Sequence, residues 1–257
     1  MNGAGRNDLY VYNQNITLAA GATAIFQHRM NEDFYLFDIA GVDSIATGQN
    51  LTLTIRDTNA QRELMNIPIR AGLVAAMLSG DSAWYFPTLL PKGHVIEIEA
   101  TLAAAVPGVN FDLALIGFNH TGGTPMHCAP PRNLYWYGWD FGIIAVSTTA
   151  PAQTVRILSD KDFVAVGWVS TDECANVNLL TFDIKNETLG FKWMNQAVMG
   201  SALFPGILNT VRRNRFRIPL YLSAGSLLSI TPANTNAVTQ ADNVALAMYG
   251  YHVDGRV

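Results

Sequence analysis

Charge is what this 257-residue chain has least of: 14% of its residues are Asp, Glu, Lys or Arg, where an average soluble domain carries about 25%. With 49% hydrophobic residues, so few ionised groups suit a subunit that buries much of its outside against neighbours. Long apolar runs are missing too. The longest, residues 113–118 and 244–251, fall far short of the roughly 20 residues a membrane-spanning helix needs, so no membrane partner is expected. Cysteine is nearly absent: Cys128 and Cys174 stand alone, neither in a Cys-x-x-Cys pair, and in a chain that is not secreted they read as free thiols. The opening Met1-Asn2-Gly3-Ala4-Gly5-Arg6 has no apolar core of the kind a secretory signal needs, so synthesis in the cytoplasm of the producing cell is expected. The Asn-x-Thr matches at Asn15, Asn50, Asn119 and Asn186 then carry little weight. Net charge is -4 overall, with 6 basic and 11 acidic residues in 1–128 and 10 and 9 in 129–257. No broad basic surface follows, and nucleic acid is not an expected partner.

Catalytic machinery is missing as well. The five histidines, His28, His94, His120, His127 and His252, form no His-x-His or His-Glu-x-x-His pair, the spacing a metal site on a strand or helix would use. His120 and His252 lie near the ends of equivalent last strands and read as surface residues. Asp57-Thr58-Asn59 opens like a calcium loop, but the required Gly and Glu do not follow, and it reads as a turn. No Gly-x-Ser-x-Gly, Walker-type or dinucleotide fingerprint occurs. Glu97 and Glu99, at i and i+2 of a strand, share one face; with Asp38 they are the best material for a hydrolase cleft, and their plain reading is a solvated sheet face. The expectation is no enzyme, no cofactor and no metal.

What the chain does have is an internal repeat. Leu9-Tyr10-Val11-Tyr12 returns as Leu134-Tyr135-Trp136-Tyr137, 125 residues on. Asp33-Phe34 returns as Asp162-Phe163, and Leu64-Met65-Asn66 as Trp193-Met194-Asn195, both at 129. Trp84-x-Phe86-Pro87-x-x-Leu90-x-x-Gly93-x-x-Ile96-x-Ile98 matches Phe216-x-Ile218-Pro219-x-x-Leu222-x-x-Gly225-x-x-Leu228-x-Ile230 at 132. Asn110, Leu113, Ala114, Gly117 and Phe118 match Asn243, Leu246, Ala247, Gly250 and Tyr251 at 133. So slow a drift is what small loop insertions between two copies produce. The Gly- and Pro-rich stretch between them sets the boundaries: a first unit over 1–121, a linker over 122–132 and a second unit over 133–257.

Inside each copy the pattern is that of strands. Leu51-Thr52-Leu53-Thr54-Ile55 and Val95-Ile96-Glu97-Ile98-Glu99 alternate apolar and polar, the period of a half-buried strand. Gly93 and Gly225 stand where a turn would need positive φ. Runs near 9–18, 22–28, 33–40, 50–57, 63–69, 84–90, 94–101 and 110–119 predict eight strands in the first unit. Residues 71–78 and 195–203, rich in Ala, Met and Leu, predict a short helix at matching places in the two copies. The fold class is therefore all-β: two tandem antiparallel β-sandwiches, jelly-roll-like and internally duplicated.

Two clusters stand out as contact residues. Arg212, Arg213, Arg215 and Arg217 supply four of the ten basic residues of the second half; such a group grips phosphates or an acidic protein surface, a protein contact being favoured and a solvated loop being the plain alternative. Tyr135-Trp136-Tyr137-Gly138-Trp139-Asp140-Phe141 sends alternate aromatics to both faces of a strand. Half enter the core; the rest, Trp136 or Trp139 among them, stack on a sugar or on a neighbouring subunit. A carbohydrate-binding or host-recognition module would instead place Trp136, Trp139 or Trp193 on an exposed platform.

The tandem sandwiches and the aromatic-x-aliphatic-Pro-x-x-Leu-x-x-Gly-x-x-Ile-x-Ile signature repeated in each resemble bacteriophage virion proteins. The likeness is to double jelly-roll capsid proteins and to duplicated sandwich proteins of heads, necks and tails, and covers nearly all of residues 9–252. It implies a structural protein of the virion (capsid, decoration or neck) that assembles with itself, as a trimer or larger homo-oligomer, and with other virion proteins. It transfers no catalytic or ligand residues, and the chain lacks the long inserted loops that many such capsid proteins carry.

Overall fold

A computed structural model describes residues 6–43, 50–74, 88–121, 133–171, 180–194, 196–199, 203, 212–235 and 242–254. The chain divides into two compact units, Met1–Leu134 and Tyr135–Val257. The stretch read as a linker, the residues 84–87 that open the repeated signature, and both cysteines lie outside the described residues.

The first unit runs β1 (Arg6–Leu18), β2 (Thr23–Arg29), β3 (Asp33–Asp43), β4 (Leu51–Asp57), β5 (Arg62–Glu63), β6 (Ile69–Arg70), α1 (Ala71–Val74), β7 (Thr88–Leu90), β8 (Val95–Leu102) and β9 (Val109–Thr121). One sheet has the order β1-β9-β3-β7 and the other β2-β8-β4-β5, with β6 also on β4. With β5 and β6 counted as one interrupted strand, this is the two-sheet jelly roll. The second unit runs β10 (Asn133–Ile144), β11 (Thr148–Thr149), β12 (Gln153–Arg156), β13 (Lys161–Thr171), β14 (Leu180–Asn186), β15 (Phe191–Lys192), β16 (Val198–Met199), β17 (Arg212–Leu222), β18 (Leu227–Asn234) and β19 (Asp242–Asp254). Its sheets are β10-β19-β13-β17 and β11-β18-β14-β15, with β12 on β18 and β16 on β14. Every strand of the first unit has its counterpart in the second, and all pairings are antiparallel.

The alternation read from the sequence is the alternation of burial. In β4, Leu51, Leu53 and Ile55 face the core while Thr52, Thr54 and Arg56 face out; β14 repeats this with Leu180, Phe182 and Ile184. The first core is built on Ile16, Phe34, Ile39, Ile98, Phe111 and Leu113, the second on Tyr137, Trp139, Phe163, Phe182, Ile230 and Leu246. Each large side chain so buried contributes about 1.5–3 kcal/mol by area removed from water. The turn glycines behave as their repeated position demands, with φ of 84° at Gly93 and 75° at Gly225, where a Cβ would be strained.

A shared irregularity marks the two units more sharply than any strand. The β3–β9 register slips between Leu36 and Asp38, and the β13–β19 register slips between Ala165 and Gly167. The skipped residues, Phe37 and Val166, are 129 apart. Opposite each slip stands a glycine, Gly117 paired with Leu36 and Gly250 paired with Ala165. A Cβ on Gly117 would strike the Phe34 ring and the Tyr35 carbonyl; one on Gly250 would strike the Phe163 ring and the Val164 carbonyl. At the bulge the tip of an aromatic ring reaches bare backbone, and only glycine leaves room for it.

Two expectations need correction. The run at 63–69 is two short strands, because the chain leaves β4 after β5 and rejoins it only at Ile69. In the window at 195–203 the expected helix holds only at its end, where residue 203 is helical; residues 198–199 form strand β16, since Thr181 and Phe182 of β14 offer ladder positions to Met199 and Val198, and pairing with an open edge overrides local preference there. In the first copy the window at 71–78 does open as α1, a single turn, with 75–78 outside the described residues.

Candidate interaction surfaces

The aromatic cluster on β10 does not reach solvent. Trp139 is 2% exposed and sits in the second core with Tyr135 and Tyr137, while Trp136, on the opposite face of the strand, is 1% exposed. Neither is a contact residue on the surface of the chain, nor a platform for a sugar. Alternation assigned them correctly to two faces; it carries no information on whether the outward face is itself covered. Trp193 is partly buried and packs against Trp168, ring centres 6.3 Å apart.

The arginine cluster lies in a strand, not a solvated loop. Arg212, Arg213 and Arg215 pair with Ser170, Val169 and Gly167 of β13, and β17 is the edge of its sheet. Between Arg215, opposite Gly167, and Leu220, opposite Ala165, residues 216–219 swing out against the single residue Val166. Arg217 and Pro219 fall in this bulge, which spares Pro219 from donating to the ladder. Arginines, a proline and a bulge are the usual means by which an edge strand avoids indiscriminate pairing. Ile218, in the middle of the bulge, is 84% exposed, and Tyr221 is exposed beyond it.

The carboxylates do not converge. Glu97 and Glu99 stand on the outer face of β8, bridged by one guanidinium: Arg56 Nε lies 3.3 Å from Glu97 and Arg56 Nη2 2.6 Å from Glu99. Gln27 donates to Glu97 at 2.8 Å. Asp38 is buried on β3, in the other sheet. Asp57, read as a turn residue, is one: its carboxylate accepts from the backbone of Asn59 and Ala60, both at 3.2 Å, and holds His94 Nδ1 at 2.9 Å. In the second unit Asn186 takes the same place and accepts from Leu189 N at 3.1 Å.

Two histidines sit in matched aromatic clusters. In the first unit His28 of β2 lies 5.8 Å from the Tyr12 ring, which meets Phe34 edge-on at 5.0 Å. In the second, His252 of β19 lies 4.9 Å from Tyr135 and 5.3 Å from Phe163, with Tyr137 meeting Phe163 edge-on at 4.9 Å. The tyrosines and phenylalanines are counterparts; the histidines come from different strands. Burial pushes both imidazoles below their usual pKa and both hydroxyls, Tyr12 and Tyr137, above theirs. Tyr12 accepts from Asn31 N and Tyr137 from Leu158 N, so each tyrosine staples a turn. His120 is buried beside Tyr35. Among the described residues no group of three His, Cys, Asp or Glu side chains is placed to hold a metal ion, and no helix is long and apolar enough to cross a membrane.

What sequence reading missed is where large apolar side chains stand outside the cores. In the first unit they are Leu9, Tyr10 and Val11 on β1, Ile25 on β2 and Phe118 on β9. In the second they include Leu189, Phe191, Met199, Ile218 and Tyr221, on or beside β15, β16 and β17. A signal was available: at an offset of 129 the last group's Leu189, Phe191 and Met199 replace Ala60, Arg62 and Arg70. The jelly roll itself does not require apolar residues there.

No protein-family model and no curated protein sequence matches the chain. Among solved structures it is similar to the major capsid protein P2 of bacteriophage PM2, at 10% identity and a TM-score of 0.42, covering 94% of this chain and 97% of that one. A peptide-N(4)-(N-acetyl-β-D-glucosaminyl) asparagine amidase is similar at 10% identity and 0.37, covering 96% and 98%. The subviral particle of infectious bursal disease virus VP2 is similar at 10% identity and 0.26, covering 95% of this chain and 72% of that one.

Proposed function

We propose that this chain is a structural protein of a virus particle, built by duplication of one jelly roll, and that it works by assembly rather than catalysis. Its place is in a bacteriophage virion, as capsid, decoration or neck component, and its partners are further copies of itself and other virion proteins. The observation that carries the reading is the set of large apolar side chains left outside two otherwise complete cores in a chain with 14% charged residues. Contiguous apolar surface beyond a few hundred Å² marks a contact site rather than solvent-facing protein, and specific contacts bury roughly 1,200–2,000 Å² in total. The carbohydrate-binding alternative loses two of its three candidate rings, Trp136 and Trp139, to burial, and the third, Trp193, is partly buried against the second core.

The test is the mass of the purified chain in solution, by light scattering after size exclusion over a range of concentration and salt. A trimer or larger closed assembly is expected. A strict monomer at high concentration would overturn the reading.

A further inference from the structure

Each sandwich is closed at one end by the same clip of two turns. In the first unit Met30 N donates to His94 O at 2.8 Å, Lys92 N to the Asp33 carboxylate at 2.8 Å and Asn31 N to the Tyr12 hydroxyl at 3.4 Å. In the second, Ile157 N donates to Ser226 O at 2.8 Å, Ala224 N to the Asp162 carboxylate at 2.7 Å and Leu158 N to the Tyr137 hydroxyl at 3.0 Å. The clip belongs to the repeat.

What holds it from behind does not. In the second unit His252 stands between the tyrosine and the aspartate, with Nε2 3.4 Å from the Tyr137 hydroxyl and Nδ1 3.4 Å from the Asp162 backbone carbonyl. The Asp162 carboxylate also accepts from the Tyr221 hydroxyl near the end of β17. A connected path therefore runs from Tyr221 through Asp162, His252 and Tyr137 to the turn at Leu158. The first unit carries Asn119 and Leu89 in place of His252 and Tyr221, so its clip has no titratable link. His28 does touch the Tyr12 ring there, but its Nε2 makes no hydrogen bond among the described residues, and a proton on it breaks none of the clip's bonds.

The partners of His252 fix where its proton sits. A carbonyl only accepts, so Nδ1 carries the hydrogen; Nε2 is then bare and accepts from the Tyr137 O–H, whose oxygen accepts from Leu158 N. Every group in the neutral cluster is satisfied. A second proton, on Nε2, turns that acceptor into a donor. Nε2–H and Leu158 N–H then compete for one phenolic oxygen, and the Tyr137 O–H loses its acceptor.

The surroundings do little to welcome the charge. His252 is buried, with the rings of Tyr135, Phe163 and Tyr137 centred 4.9, 5.3 and 5.9 Å away. Of the charged groups around it, Asp160 and Lys161 act on the imidazole in opposite directions, the Asp162 carboxylate is engaged by Tyr221 and Ala224 N, and Asp254 pairs with Lys161 in the β13–β19 register. Burial is the largest influence and holds the imidazole below its usual pKa. Opening the clip to water removes that penalty, so acid favours the open form.

We propose that His252 is an acid-operated latch: neutral, it locks the turns at 157–160 and 223–226 together through Tyr137 and Asp162, and on taking up a proton it releases them while the first unit's clip stays shut. The latch is a property of the second unit alone and holds whatever the chain assembles with.

The experiment is amide hydrogen exchange of the full chain at pH 7 and at about pH 5, corrected for the intrinsic pH dependence of exchange. Leu158 and residues 224–226 are expected to exchange about tenfold faster at the lower pH, while Asn31 and residues 92–94 keep their protection. In His252→Asn, which gives the second unit the side chain the first carries at this place, protection of the second clip is expected to be the same at both pH values. Tyr137→Phe keeps the ring and removes the hydroxyl, and its second clip should already be open at pH 7. Unchanged protection of Leu158 at the lower pH, equal loss in both clips, or a loss that persists in His252→Asn would overturn the latch.

Discussion

The two units share their strand pairings, their bulge and its glycine, yet differ in what they cover. On β1 the outward positions Leu9 and Val11 are open, while on β10 Leu134 and Trp136 are buried; at the other end of the strand order Arg62 and Arg70 of the first unit correspond to Phe191 and Met199 of the second. Inward positions are held by a packing constraint that acts inside each unit, so they change little and only in step with their neighbours. Outward positions answer to whatever lies outside the unit, which is not the same for both. The repeat therefore works as its own control: what the copies share serves the jelly roll, and what divides them is not required by it.

The comparison breaks most severely at the shared bulge. Gly250→Val is expected to unfold the second unit and Gly117→Val the first, each losing about 4 kcal/mol or more, because backbone carbonyls and not flexible side chains block the new Cβ. Calorimetry on each variant reads this as loss of one unit's transition. Tolerance of either change would mean that the bulge is not a packing requirement.

Next in size are the turn staples. Asp57→Ala removes the acceptor of two backbone amides and of His94, for about 2–3 kcal/mol, whereas Asn186→Ala removes the acceptor of one amide, for about 1 kcal/mol. Urea unfolding that gave the two variants equal losses would show that the first unit's richer network adds nothing.

A smaller effect depends on pH. Burial lowers the pKa of His28 and His252 from the ordinary 6.5, so the folded chain takes up these protons less readily than the unfolded one. Their contribution to stability is present above 6.5 and is lost as pH falls below it toward the lowered values. The thermal midpoint should therefore drop between pH 7 and about 5, and His28→Gln with His252→Gln should flatten that drop. An unchanged slope in the double variant would assign acid sensitivity to other groups. Smallest of all, Arg56→Ala should cost under about 1 kcal/mol, since its bridge to Glu97 and Glu99 is partly exposed.

The sequence was legible where physics is local. Leu51 to Ile55 and Val95 to Glu99 declare a strand with one wet face, and Gly93 and Gly225 declare a turn; the structure has them so. Reading failed where the deciding neighbour is distant in the chain. Residues 198–199 have the composition of a helix and become a strand because β14, some 15 residues earlier, has a free edge. Trp136 looked like an outward contact, and outward it is, but periodicity says nothing of cover. Ile218 looked like part of an ordinary strand until four residues opposite Val166 pushed it out.

The pairing of β1 with β9, Arg6 against Thr121 and Leu18 against Val109, also sets an order of events in time. A chain leaving the ribosome at about 5–20 residues per second presents Leu9, Tyr10 and Val11 on the order of ten seconds before their ladder partners exist. During that interval the first strand is an apolar ribbon with both edges open, and every growing chain on the same message carries one. The second unit repeats the delay, since β10 waits for β19. A protein made in large amounts with this topology depends on how quickly its last strand arrives, and slow codons placed before residues 109–121 should lower the soluble yield more than the same codons placed after them.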